Sequence, residues 1–392
     1  MNGLSEFDSE WRPNVLVLGP GGVKGFLELG ALLQFEKKGY FENIEYYTGC
    51  SAGAAIVLLI VAGYKISEIL QICWNINVLN DITDLDIKDI KEKTGLISNK
   101  TVETLLTNKI IEKFGKVLTL KQLYYATGKI INIVTYNLDD DQTEYFNKDT
   151  EPNISCIHAV MMSMAIPLLM QSRRYKGRDY IDGAIGNPYP IDIHDDGINQ
   201  ILGIYISSSK GNNSGILKKA YKMLHASMGQ IRNRIINTSS KQCKHLELNS
   251  NIMDATGITV PIELKKEMIR SGYQEANKFI EKIQNPNKYR ILLSDDEEIP
   301  IASSDELFRT PNLSSPYHTQ SILDHETNSV INMLINNQHV PSNNNNNNNN
   351  INNNINNNNN DNNKTKNILM IPITKNMENK LKAMKYRNNR II

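Results

Sequence analysis

Gly49-Cys50-Ser51-Ala52-Gly53 decides the reading of this chain. To its left, Ile44 to Thr48 reads as a short strand. To its right, Ala54 to Gly63 is almost wholly apolar and reads as a buried helix. A G-x-S-x-G pentapeptide between a strand and a helix is the context of a nucleophile elbow. Glycines are needed where the turn is sharp and backbones crowd together. The serine hydroxyl is then presented at the carboxyl edge of a sheet. The following helix turns its positive dipole end toward any anion formed there. The competing reading is a glycine turn with an N-capping serine, because bare G-x-S-x-G is common.

Working outward, Asn14-Val15-Leu16-Val17-Leu18 is a continuous apolar run that reads as a buried parallel strand. Gly19-Pro20-Gly21-Gly22-Val23-Lys24-Gly25 follows it, then an amphipathic helix over about Phe26 to Lys38 that Gly39 closes. Three readings compete for the glycine loop. A Walker A loop needs Gly-Lys before Ser or Thr, and here Lys24 stands between Val23 and Gly25. A dinucleotide fingerprint begun at Gly19 puts Lys24 where the third glycine belongs. In the third reading the loop is an oxyanion hole, with backbone N–H groups of Gly21, Gly22 and Val23 facing an attacked carbonyl.

The chain has 392 residues, enough for two average domains or one larger domain with tails. Apolar residues make up 40%, so much of it can build a core, and a net charge of +1 points to no particular partner. Cys50, Cys73, Cys156 and Cys243 are scattered without a C-x-x-C pair, which argues against zinc and against a disulfide framework. An intracellular, reducing compartment fits such cysteines. Residues 1–13 carry acidic groups and no apolar run, so no secretory signal is expected there. The longest apolar stretch, Ala54 to Ala62, is too short to span a bilayer.

Further along, Ile66 to Trp74 and Val102 to Phe114 read as helices, the latter capped by Ser98 or Asn99. The mixed-charge stretch Asp81 to Lys93 reads as a solvated helix face or a cover over the site. Lys129 to Tyr136 is a strong strand, and Thr143 to Asn147 pairs with it across Asp139-Asp140-Asp141. Ser155 to Ala165 is a short helix ended by Pro167. Tyr180-Ile181-Asp182-Gly183-Ala184 delivers an aspartate into a glycine turn, a pattern that an ordinary hairpin also produces. Gln200 to Ile206 reads as a core strand. This order argues for an α/β sheet with helices on both faces.

Glycine loop, elbow and Asp-Gly turn, in that order, resemble the patatin-like phospholipases, a family of lipid acyl hydrolases. The resemblance covers about Asn14 to Ser207. Gly21-Gly22-Val23-Lys24-Gly25 resembles the family's oxyanion loop, Gly49 to Gly53 its nucleophile elbow, and Asp182-Gly183-Ala184 its Asp-Gly-Gly/Ala motif. Ser163-Met164-Ala165-Ile166-Pro167 is similar to the small-residue stretch that precedes that motif. The chain departs from the family at Pro20, which stands where the first loop glycine usually lies and has no N–H to donate.

The resemblance implies a three-layer α/β sandwich, with a mainly parallel sheet between helices. It also implies a Ser–Asp dyad: Ser51 as nucleophile, Asp182 as the base that takes its proton, and an acyl-enzyme hydrolysed by water. Lys24 would help fix the loop. No metal and no cofactor are expected. A glycerolipid such as a phospholipid is the expected substrate, met in solution or at a membrane surface, and no nucleic acid is expected. His194 follows Asp182, so a Ser–Asp–His order is formally present as a competitor. His158 reads as a packed or surface residue, and Cys50 and Cys73 as buried small apolar residues.

The domain reading is an N-terminal tail over 1–13, a catalytic core over 14–207 and a helical continuation over 208–290. Within the continuation, Ile216 to Ile236 is a long basic helix, His245 to Leu248 a strand and Glu263 to Gln284 a final helix. A solvated surface is the default reading of that basic face. A polar linker over 291–341 and an asparagine-rich tract over 342–363 are expected to be disordered. The basic tail over 364–392 carries eight Lys or Arg against one Glu, and an anionic membrane surface is its candidate partner.

Overall fold

The computed structural model describes residues 11–74, 100–167, 170–208, 216–250, 261–285, 328–329 and 331–333. The chain divides into residues 1–340 and 341–392, and every element below belongs to the first unit. The mixed-charge stretch at 81–93, the caps at Ser98 and Asn99, the asparagine tract and the basic tail lie outside the described residues.

Eight strands form one sheet: β1 (Val15–Leu18), β2 (Tyr46–Cys50), β3 (Ile130–Asn137), β4 (Gln142–Phe146), β5 (Arg173–Tyr175), β6 (Arg178–Asp182), β7 (Ile201–Ser208) and β8 (Cys243–Ser250). Their order is β5-β6-β3-β2-β1-β7-β8, with β4 also paired to β3. The run β3-β2-β1-β7-β8 is parallel throughout. β4, β5 and β6 are antiparallel additions at the β3 end. Among the described residues the α-helices are α1 (Gly25–Lys37), α2 (Ala52–Val61), α3 (Ile66–Trp74), α4 (Lys100–Phe114), α5 (Leu120–Thr127), α6 (Cys156–Ser163), α7 (Ile216–Thr238) and α8 (Ile262–Gln284).

Strand β1 shows why the fold has three layers. All four of its residues are fully buried, so both of its faces are covered. Leu16 and Leu18 point into the main core with Leu29 and Leu32 of α1, Val57 and Leu58 of α2 and Ile269 of α8. Val15 and Val17 point the other way, into a second core with Tyr189, Ile191 and Tyr205, against which Ile235 and Ile236 of α7 pack. The alternation follows from the two-residue period of a strand.

The segment after residue 195 builds onto the same sheet: β8 pairs along its whole length with β7, and α8 packs on α1. Two elements escaped the sequence reading. Helix α5 begins with a capping box in which Thr119 accepts from Gln122 N–H while the Gln122 side chain accepts from Thr119 N–H. Strand β5 forms a hairpin with β6 across Lys176-Gly177, both at positive φ. The hairpin turn therefore precedes β6, and Asp182-Gly183 leads instead into a short 3-10 turn, Gly183–Ile185.

Candidate active site

Cys50 ends β2 and Ala52 begins α2, leaving Ser51 alone to reverse the chain, with φ 57° and ψ −125°. A non-glycine residue at such angles is strained and persists where its surroundings over-determine it. The flanking glycines are part of that surrounding. A Cβ on Gly49 would fall 2.6 Å from Ala54 Cα, and one on Gly53 2.6 Å from the Gly19 carbonyl oxygen. Helix α2 is thereby pressed against both its own strand and the start of the glycine loop.

Asp182, the last residue of β6, is tied to Thr135 of β3 by register. Its carboxylate accepts from Ala184 N–H at 2.9 Å and weakly from the Cys50 thiol, whose Sγ is 3.8 Å away, and the Ser51 hydroxyl is a third donor-bearing neighbour that lowers its pKa. Burial raises its pKa from 3.8 to about 6, and those three donors partly oppose the rise. Ser51 and Asp182 are each only 4% exposed. Burial, with the Asp182 charge second, pushes the Cys50 thiol well above its ordinary pKa, so this cysteine is a neutral neighbour.

The end of α6 holds both residues in place. Ser51 N–H donates to Ser163 Oγ at 2.9 Å, and Asp182 N–H donates to the Ala165 carbonyl at 2.9 Å. Ser163 is fully buried. Its positioning role was hidden in the small-residue stretch before Pro167, where the sequence supplied the segment but no reason for its serine.

The glycine loop lies opposite. Gly19 N–H is spent on Ile204 of β7, and Pro20 has none to give. Lys24 N–H and Gly25 N–H fold back onto the carbonyls of Gly21 and Gly22. The N–H groups of Gly21, Gly22 and Val23 precede that turn, and the first N–H groups of a helix have no partner inside it. Gly22 adopts φ +53°, which glycine takes without strain. Lys24 is buried, and that burial lowers its pKa.

Pro20, Gly21, Gly22, Lys24, Ser51, Asp182 and Ala184 all line one open cleft of about 940 Å³. Val23 is not among the residues lining it. Ile166 and Pro167 add an apolar part to the lining, and α7 contributes Leu224, His225, Met228 and Arg232. The residues from α7 were not expected here, because the sequence presented that helix as a basic, solvent-facing pattern.

His194 does not join this group. Its Nε2 lies within hydrogen-bond distance of Thr48 Oγ1, at 2.7 Å, and Thr48 Oγ1 also accepts from Asn132 Nδ2. Burial lowers the His194 pKa to about 4, with Asp196 opposing the shift. His158 sits half-buried beside Tyr175. All four cysteines are free thiols. No helix among the described residues is long and apolar enough to cross a membrane.

Residues 16–194 match the family model described as patatin-like phospholipase. Over 181 residues the chain is 29% identical to a probable lipid hydrolase of Invertebrate iridescent virus 6, covering 45% of this chain and 62% of the viral protein. The chain therefore spans somewhat less than two thirds of that relative. It is 28% identical over 291 residues to an uncharacterized protein of Acanthamoeba polyphaga mimivirus, covering 71% of this chain and 97% of the other. Among solved structures it is similar to VipD from Legionella pneumophila, at 16% identity and a TM-score of 0.47, with 69% of this chain and 67% of VipD covered. It is also similar to the type III effector ExoU, at 17% identity and a TM-score of 0.43, with 69% and 53% covered.

Proposed function

Residues 16–194 belong to the patatin-like phospholipase family, and from that premise we propose that the chain is a lipid acyl hydrolase working through Ser51 and Asp182. One observation carries the reading: a serine strained on its turn and a buried aspartate line the same cleft, beside a glycine loop. The name borne by the iridescent virus relative, a probable lipid hydrolase, agrees with it.

In this mechanism Asp182 takes the Ser51 proton as Oγ attacks the carbonyl carbon of a glycerolipid ester. Its raised pKa fits a general base near neutrality, since a stronger base is a better proton acceptor. The carbonyl oxygen becomes an oxyanion that accepts hydrogen bonds from the N–H groups of Gly21 and Gly22, with Val23 the third donor of the loop. Collapse breaks the C–O bond to the glyceryl oxygen, which receives the proton from Asp182 and leaves as an alcohol. Asp182 then deprotonates water, which attacks the acyl-Ser51 carbonyl; the C–O bond to Ser51 breaks, Oγ takes that proton back from Asp182, and the fatty acid leaves. The apolar part of the lining suits the acyl chain.

A fluorophosphonate probe should label the full chain at Ser51 and fail on Ser51→Ala. Asp182→Asn keeps the side-chain shape but cannot take the proton, so ester turnover should fall by about 10²–10⁴-fold. Labelling that persists in Ser51→Ala, or undiminished turnover in Asp182→Asn, would remove the dyad.

A further inference from the structure

Arg232 is unusual among the residues facing the cleft. Its guanidinium carbon stacks 4.6 Å from the Tyr205 ring centroid. Its hydrogen bonds are long: Nη1 to the Ile206 carbonyl and Nη2 to Asn233 Oδ1, both 3.4 Å. Its Nε–H is shut from solvent and has no acceptor. Among the described residues no carboxylate stands within ion-pair distance of it. An arginine placed for structure alone would ordinarily have its donors satisfied, because an unmet buried donor costs free energy.

The surroundings repeat the same sign of charge. His225 and Arg232 are seven residues apart on α7 and line the same cleft, which places them on one face of the helix. Desolvation, then the charges of Lys24 and Arg232, lower the His225 pKa. His225 is exposed as a residue, so the informative part of that shift is the proximity of two cations. Lys24 reaches the same cleft from the glycine loop. Asp182 is the sole carboxylate among the described lining residues, and it already accepts from Ala184 N–H. Helix α7 as a whole carries five Lys or Arg and no Asp or Glu. It also lies beyond residue 194, outside the segment that matches the family model.

We infer that Arg232, with Lys24 lining the same cleft, forms a subsite for a phosphoryl group carried next to the scissile ester, and so favours phosphoglycerides over neutral glycerides. The inference rests on Ser51 being the nucleophile, since that fixes where the ester lies. In a phosphoglyceride only two or three glycerol carbons separate the ester oxygen from the phosphate oxygen, so an acyl carbonyl at Ser51 leaves the phosphate near the cleft wall. Guanidinium presents a planar fork of donors that matches phosphate oxygens, and such charge-assisted bonds are the strong ones. An incoming phosphoryl oxygen would be met by the Nη groups, whose present hydrogen bonds are both long.

The test uses the full chain with dihexanoylphosphatidylglycerol and dihexanoylglycerol, each held below its aggregation limit. Wild type should prefer the phospholipid in kcat/KM. Arg232→Gln should reduce that preference about 10–100-fold, the range expected for losing a hydrogen bond to a charged group. Arg232→Lys, which keeps the charge, should recover part of it. Inorganic phosphate should compete with dihexanoylglycerol in wild type and more weakly in Arg232→Gln. Calorimetric titration of Ser51→Ala with glycerol 3-phosphate reads the subsite without turnover, so a wild type that hydrolyses neither lipid would overturn the nucleophile and leave this measurement to decide the subsite. No heat in that titration, or a preference for phospholipid that survives Arg232→Gln, overturns the inference. Phosphate competition that depends on Arg232 while the lipid preference does not would mean a free-phosphate site, and equally overturns it.

Discussion

The carbonyl oxygen of Gly19 lies 2.6 Å from the point where a Cβ on Gly53 would sit. This contact joins the glycine loop to the helix after Ser51, so the loop and Ser51 share one rigid frame. Gly53→Ala would force the two apart. Overpacking of this kind costs about 1–3 kcal/mol. The expected result is a lower urea midpoint together with a loss of ester turnover, the second arising because the loop has moved relative to Ser51. A variant with wild-type midpoint and turnover would show that the frame is looser than this contact implies.

How much of this was legible beforehand depended on distance along the chain. The elbow and the loop are local, and the residues that make them, Gly49 to Gly53 and Gly19 to Gly25, carry their turn geometry in their own spacing. The helices read from their periodicity were found within a few residues; Ile66–Trp74 has the expected bounds, and the helix after the loop begins at Gly25 instead of Phe26. Asp182 was harder, because an aspartate before glycine is an everyday turn. Only the antiparallel register of β6 on β3 places it at Ser51. Ser163 and Arg232 were illegible for the same reason: their partners, Ser51 N–H and the cleft, belong to elements far away in sequence. Hydrophobic pattern reports which face of a helix is apolar, and says nothing about which cation on the other face meets a cleft.

The dyad predicts a particular pH profile. Asp182 must be ionised to accept the Ser51 proton, and its pKa stands at about 6. The kcat/KM for a soluble ester should therefore rise with pH, pass its midpoint near 6 and level off above about 7. His194, bonded to Thr48 and held neutral, contributes no step in that range. His194→Ala should keep the midpoint and lose less than about fivefold in rate, as expected for a change outside the site. A midpoint that moves in His194→Ala would return the histidine to the mechanism.

Glu28 sets up the last prediction. It lies on α1, fully buried, with neither carboxyl oxygen hydrogen-bonded. Its Oε2 is 3.0 Å from the point where a Cβ on Gly21 would sit, directly behind the oxyanion loop. Burial raises its pKa well above the ordinary 4.5, so the folded protein holds it protonated where the unfolded chain does not. The folded state thus binds more protons than the unfolded state above pH 4.5. By linkage, the stability contributed by the neutral carboxyl is complete below that pH and is lost as pH rises through the raised value. Glutamine has nearly the same shape and never ionises, so Glu28→Gln escapes the loss. The melting temperature of Glu28→Gln minus that of wild type should therefore grow more positive from pH 5 to pH 8, by about 2–4 °C for each kcal/mol recovered. Scanning calorimetry across that range checks it. A difference that stays flat with pH would mean that Glu28 finds a partner for its charge in solution, and would leave the loop without a neutral carboxyl behind it.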